Sequence, residues 1–288
     1  MTEPTPTAQP APSIADVEVE ESRPVASLVL PLNTPPIHVE TDVDAAGLGA
    51  LLAHTERTWT RLGDEEPHWS VISAERFKQS QLDDHRAEFY ASGQGDLETF
   101  LAFLARNEVD AGALHRVLEF GCGIGRVTRF LAERFEQVVA CDISPSHLKE
   151  AELYLQDRKL RNVEWLRVRA ITDLDGPADL DAVFSVIVLQ HNPPPTIAAV
   201  LEKLLRRLRP GGVAYFQVPT HAVDYRFRVD DYLKHGLQSS HVEMHYLPQR
   251  HIFQIARRAG CEVLEVREDD WVGRREVELS NTFLLRRG

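Results

Sequence analysis

The stretch "VLEFGCGIGRVTRFLA", residues 117–132, sets three glycines within five positions, directly after an apolar run and directly before a helical one. Glycine at Gly121, Gly123 and Gly125 removes the Cβ that would collide with a ligand passing close to the turn. The helix that follows offers unpaired backbone N–H groups to anionic or electron-rich groups. A nucleotide-type ligand is the first reading, and two kinds compete. A dinucleotide fingerprint needs G-x-G-x-x-G, and the third glycine would fall at 126, where this chain has Arg126. The pattern is instead acid-x-G-x-G-x-G, with Glu119 two residues ahead of Gly121. Asp142 closes the next strand, placed to accept hydrogen bonds from two ribose hydroxyls, and suits either ligand.

Working outward, short apolar strands alternate with amphipathic helices from residue 116 onward. "RVLEF", "QVVACD", "VEWLRV", "DAVFSVIVL" and "VAYFQV" read as strands. Ile197, Val200, Leu201, Leu204, Leu205 and Leu208 share one helical face before "RPGG" stops it. Ser144 and Pro145 open another helix as N-cap and first residue. This alternation predicts an α/β fold, a parallel sheet with helices on both faces. Residues 219–246 are too irregular to belong to its core. A helix from Pro248 to Ala259 follows, then "CEVLEV" and "VELSNTFLLRR", two strands with no helix between them, so the last is expected to be antiparallel.

Composition bounds the function. The 288 residues, 43% of them hydrophobic, can bury a large core without staples. A formal charge of −12 repels a phosphate backbone and argues against nucleic acid as partner. No run approaches the length of a membrane span, which points away from a membrane. Cys122, Cys141 and Cys261 are odd in number and widely spaced, which fits a reducing cytoplasm better than a disulfide framework. Eight of the 17 prolines lie in the first 36 residues, so 1–40 reads as a mostly disordered acidic tail, with "VASLVLPL" as a short strand or docking segment. Residues 41–110 read as a helical cap, and 111–288 as the main domain with 219–246 inserted.

"VLEFGCGIGR", "VVACDIS", "DAVFSVIVLQHNPP" and "LRPGGVAYFQVP" together resemble, in order and spacing, the class I S-adenosylmethionine-dependent methyltransferases, bacterial small-molecule branch. The resemblance implies a Rossmann-like, seven-stranded, mainly parallel sheet of order 3-2-1-4-5-7-6, and S-adenosylmethionine as cofactor. It implies that Gly121, Cys122, Gly123 and Gly125 lie under the methionine part, that Glu119 orients its amino group, that Asp142 holds the ribose and that Ile143 lies against the adenine. Ala170 stands where relatives often carry a polar adenine contact, so either Asp173 takes that role or the contact is made by backbone alone. Leu174 and Ser185 complete the implied cofactor set, and Trp69 is a lid residue.

The implied reaction is methylation of an oxygen or nitrogen of a small polar metabolite or glycan. The alternative is a non-catalytic protein that binds S-adenosylmethionine or a partner. His191, in the family's histidine position, is either a general base or a packing residue against the cofactor. His221 and His245 are further base candidates from the insertion, whose Tyr225, His241 and Tyr246 are candidate substrate contacts. "HVEMH" puts Glu243 at the wrong offset for a zinc protease and leaves no third ligand, so no metal is expected. A small residue tolerated between glycines accounts for Cys122 better than a nucleophile does.

Overall fold

The computed structural model describes residues 30–288 apart from 32, 240, 273 and 275. Seven strands form the central sheet: β2 (Arg116–Phe120), β3 (Gln137–Asp142), β4 (Val163–Arg167), β5 (Leu180–Ser185), β6 (Leu208–Ala222), β8 (Cys261–Asp269) and β9 (Glu278–Arg287). Their order, β4-β3-β2-β5-β6-β9-β8, is 3-2-1-4-5-7-6 when the seven are counted along the chain. The first five pair parallel, and β9 runs antiparallel to both β6 and β8. The period of two sends Leu118, Phe120, Val139 and Phe216 to one face, where α7 (Pro194–Arg207) and α9 (Gln249–Arg258) cover them. Val117, Val138, Ala140 and Tyr215 go to the other, under α4 (Gly93–Arg106), α5 (Thr128–Arg134) and α6 (Pro145–Asp157). Along α7, Ile197, Val200, Leu201, Leu204 and Leu205 are all buried, each contributing about 1.5–3 kcal/mol.

α6 starts as expected, Ser144 capping His147 N–H ahead of Pro145. The cap proper consists of α1 (Ala45–Glu65), α2 (Pro67–Val71) and α3 (Leu82–Ala91). Its small core of Phe77, Phe89 and Tyr90 closes on Ile124, so the apolar residue inside the glycine loop anchors the cap.

Four expectations need correction. α4, assigned to the cap, is a layer of the sheet, because Phe100 and Phe103 pack on Tyr215 with ring centroids 5.2 and 5.0 Å away. The run read as one strand over 181–189 stops at Ser185; Ile187 takes φ 58°, and a short 3₁₀ turn spans Leu189–His191. The 219–246 segment is not wholly outside the core, since β6 continues to Ala222 opposite Glu278 of β9 and Tyr246 is buried. The tail boundary at 40 lies too far along the chain. β1 (His38–Val39) pairs parallel with β7 (Arg226–Phe227), α8 (Val229–His235) follows, and Ile37 and Val39 are buried. Most of the proposed "VASLVLPL" segment and of the tail lies outside the described residues.

Candidate active site

β2 delivers the chain into a loop stitched to its neighbour: the N–H groups of Gly121 and Cys122 both donate to Cys141 O, at 2.8 and 2.9 Å. Gly121 and Gly123 hold φ of 79° and 51°, a region that β-carbons resist. A Cβ on Gly121 would overlap Val188, and one on Gly123 would come 2.9 Å from Val71. The atoms pressing on the turn therefore include the protein's own side chains, from the loop after β5 and from the cap. Gly125 departs from its implied role: it is pressed by Leu155 and Ala151 of α6 and does not line the cavity.

A cavity of about 620 Å³ opens along the carboxyl ends of the strands, where ligands of such sheets sit. Glu119, Gly121, Cys122, Gly123, Asp142, Ile143, Trp69 and His191 all line it. Glu119 is 3% exposed, and its Oε2 has no hydrogen-bond partner among the described residues. Burial pushes its carboxyl up to about 8. The nearby Arg126 is committed to Asp96 at 2.5 Å. Such an orphaned buried oxygen fits an ammonium group. The Asp142 carboxylate accepts from Gly123 N–H and Ser144 N–H, both at 2.8 Å. Each oxygen keeps a second lone pair for a ligand hydroxyl. Burial holds the Cys122 thiol well above its ordinary pKa, which leaves it inert.

In the same cavity, His191 Nδ1 lies 2.9 Å from Glu243 O. A carbonyl only accepts, so Nδ1 carries the proton and Nε2 the lone pair. Gln190 is turned toward that nitrogen, its Nε2 3.4 Å away, because Gln217 Nε2 donates to Gln190 Oε1 at 3.0 Å. Burial lowers His191 to about 4.

The remaining candidates lie elsewhere. Asp173 accepts from the N–H groups of Arg169 and Ala170 and closes its own turn, and Leu174 is core. Ser185 Oγ donates to Phe120 O, tying β5 to β2. His245 sits 2.8 Å from Tyr225 Oη and 3.1 Å from Glu243 Oε2, so both ring nitrogens are engaged. His221 pairs in β6 opposite Leu279, His241 is exposed, and Tyr225 and Tyr246 border a separate shallow pocket. None of these lines the main cavity, because the insertion folds onto itself and reaches the chamber through Val242 and Met244.

Sequence reasoning also missed Trp59, Ser70, His147 and Trp271. His147 Nε2 is 2.9 Å from Ser70 Oγ, and its Nδ1 is 3.6 Å from Asp142, so it joins α2 to the carboxylate. Its place directly after the α6 cap was the one available signal. Among the described residues no three His, Cys, Asp or Glu side chains are grouped to hold a metal, and no helix is long and apolar enough to cross a membrane.

Fold and cavity together define a doubly wound nucleotide-type site whose loop is not that of a nicotinamide protein. Residues 117–212 match the family model for a methyltransferase domain. Ubiquinone biosynthesis O-methyltransferase of Xylella fastidiosa (strain 9a5c) is 31% identical over 152 residues, covering 48% of this chain and 58% of that protein. Trans-aconitate 2-methyltransferase of Azoarcus sp. (strain BH72) is 38% identical over 121 residues, covering 40% and 43%. The chain thus spans about half the length of the curated relatives it matches. Among solved structures, magnesium protoporphyrin IX methyltransferase from Synechocystis PCC 6803 with bound S-adenosylhomocysteine superposes with a TM-score of 0.57 at 16% identity, over 83% of this chain and 100% of that one. Residues 117–212 thus carry a methyltransferase domain, on a fold shared with structures of S-adenosylmethionine-dependent methyltransferases.

Proposed function

We propose that this chain transfers a methyl group from S-adenosylmethionine to an oxygen of a small molecule, with His191 receiving the acceptor's proton. The observation that carries the reading is a single chamber lined both by Gly121, Gly123, Glu119 and Asp142 and by a neutral, oriented His191. Glu119 meets the ligand's ammonium and Asp142 its ribose. Bound S-adenosylmethionine would supply a methyl on a sulfonium, the carbon–sulfur electron pair staying with sulfur as the acceptor oxygen forms its new bond. Val71 and Trp59 line the chamber and would help to keep water from the reacting groups, and alignment of the reactants is worth up to about 7–11 kcal/mol. His191 Nε2 takes the hydroxyl proton once the acceptor displaces the long 3.4 Å contact from Gln190, a contribution on the order of 10²–10⁴ in rate. The relatives named as O-methyltransferases support oxygen over nitrogen.

Calorimetry with S-adenosylhomocysteine and with NAD, followed by labelled-methyl transfer to metabolites and mass spectrometry of the product, tests this. Binding of the first ligand alone, with methyl found on oxygen, is expected. Asp142→Ala should weaken that binding by on the order of 10²-fold. His191→Ala should cut turnover by about 10²-fold while leaving that affinity unchanged. Binding without transfer to any metabolite would favour a non-catalytic role, and methyl on nitrogen would correct the acceptor atom.

A further inference from the structure

Because β9 is antiparallel to β6 and β8 antiparallel to β9, the carboxyl end of β8 opens on the same edge as those of β2, β3 and β5. The cavity uses that whole edge, from Val168 after β4 to Trp271 after β8. Its charged side chains gather at the glycine loop: Glu119, Asp142 and the Asp96–Arg126 ion pair. Around His191 the walls are different. Trp59 lies with its ring centroid 5.1 Å from that of His191, and Val242 and Met244 flank the Glu243 whose carbonyl holds that ring. Ile187 and Trp271 also line the chamber, and the polar neighbours Gln190 and Asn192 are already engaged by Gln217 and by Val188 O. No lysine is among the described residues lining the cavity, and its arginine is already paired.

The rim shows the same bias. Ile187 is 37% exposed and Val242 43% exposed, so two large aliphatic side chains stand in water at the mouth. Ile187 also holds φ 58°, a left-handed conformation that is sterically costly for a β-branched residue. The strain is held by Gln217 Oε1, which accepts the Ile187 N–H at 3.1 Å. Glycine or asparagine would make that turn without strain, so what isoleucine adds is its side chain at the mouth. Strain of this kind gathers where a ligand is gripped.

We propose that the methyl acceptor is an uncharged, flat aromatic alcohol with an apolar substituent, its hydroxyl at His191 Nε2, its ring against Trp59 and its substituent over Ile187, Val242 and Trp271. This rests on the methyl-transfer reading and replaces the polar metabolite or glycan suggested by sequence. A carboxylated acceptor finds no free lysine or arginine side chain among the described residues of the chamber. A sugar leaves most of its hydroxyls unpaired, since Trp59, Ile187, Val242 and Trp271 offer no partner and the side chains of Gln190, Asn192, Thr55 and Ser70 already have protein ones. The proton chemistry agrees: a buried imidazole held to about 4 is a weak base. It takes the proton of a phenol, with a pKa of about 10, far more readily than one as tightly held as that of water, at about 15.7. The O–H bond breaks, its electron pair remains on the oxygen that is methylated, and the proton rests on Nε2 before leaving to solvent.

The test uses the full chain with S-adenosylmethionine and four acceptors: 4-hexylcatechol, 3,4-dihydroxybenzoate, trans-aconitate and glucose. The expected result is kcat/KM for hexylcatechol on the order of 10²-fold above dihydroxybenzoate, with no transfer to the other two. Hexylcatechol should also quench tryptophan emission, since Trp59, Trp69 and Trp271 line the cavity. Ile187→Gly relieves the strain, so its thermal midpoint should rise while KM for hexylcatechol rises about tenfold or more. Val242→Glu should raise that KM too, with S-adenosylhomocysteine affinity unchanged. Preference for dihydroxybenzoate, trans-aconitate or glucose overturns the acceptor class and leaves methyl transfer standing. So does S-adenosylhomocysteine binding with no methylation of either catechol, or an unchanged KM in both variants. Failure to bind S-adenosylhomocysteine overturns the methyl-transfer reading itself.

Discussion

Glu119 is a carboxyl enclosed by the fold, with one oxygen unanswered and the nearest arginine held by Asp96. Burial raises it to about 8, so it is mostly protonated at neutral pH. A ligand bringing an ammonium group reverses that preference. Binding of S-adenosylhomocysteine at pH 7 should therefore release close to one proton, read by calorimetry in two buffers of different ionisation heat. Glu119→Gln should release none; equal release from both proteins would assign the proton to another group. Glu119 and Asp142 were legible because glycine spacing and a strand end fix their places locally. Asp173 misled because a carboxylate near a strand end can serve its own turn equally well, as its bonds to Arg169 and Ala170 show. Trp59, Gln190, Met244 and Trp271 reach the chamber from separate parts of the chain, a convergence that no local pattern encodes.

α1 seats the cap on the start of α6 through Gly63, where a Cβ would come 2.6 Å from Ser144 Oγ and 3.0 Å from His147. Gly49, on the same helix, has nothing within 4 Å of that position. The two glycines make a matched pair, because alanine gains about 0.8–1 kcal/mol of helix propensity at either. Gly49→Ala should raise the thermal midpoint by about 2–4 °C. Gly63→Ala should lower it and weaken S-adenosylhomocysteine binding, since it displaces the α6 cap and the His147 that braces Asp142; equal rises in both would mean that α1 is not seated there. The principal strands were readable from apolar runs broken by helical periods. The run 186–189 was misread because its apolar residues serve the cavity and not a ladder, Val188 packing over Gly121. The β1–β7 pair, two residues in each strand, is too short to leave a period at all.

Across the whole molecule, cap, sheet and post-β5 loop meet at groups whose protonation opposes one another. His68 in the cap, buried against Phe89 and Tyr90 with Arg86 and His147 nearby, is lowered to about 4, as is His191. Both ordinarily titrate near 6.5. Between those values the unfolded chain binds more protons than the folded one, so their contribution is full above pH 6.5 and is lost as pH falls toward 4. His221 and His251, also lowered by burial, act in the same sense. Glu119 acts in the opposite sense: raised from 4.5 to about 8, it keeps its proton in the fold, and its contribution is lost as pH rises through that interval. Glu268 and Asp269 are raised by burial as well. Below pH 6.5 the histidines outweigh Glu119, and above it Glu119 acts alone among the strongly shifted groups of the cavity. The thermal midpoint of the ligand-free protein should rise from pH 5 to about 6.5 and decline from there to pH 8. Saturating S-adenosylhomocysteine, by supplying the missing cation, should flatten the decline and leave the rise in place. Glu119→Gln without ligand should do the same, and a variant that still declines between pH 6.5 and 8 would mean that the opposing proton belongs to another residue.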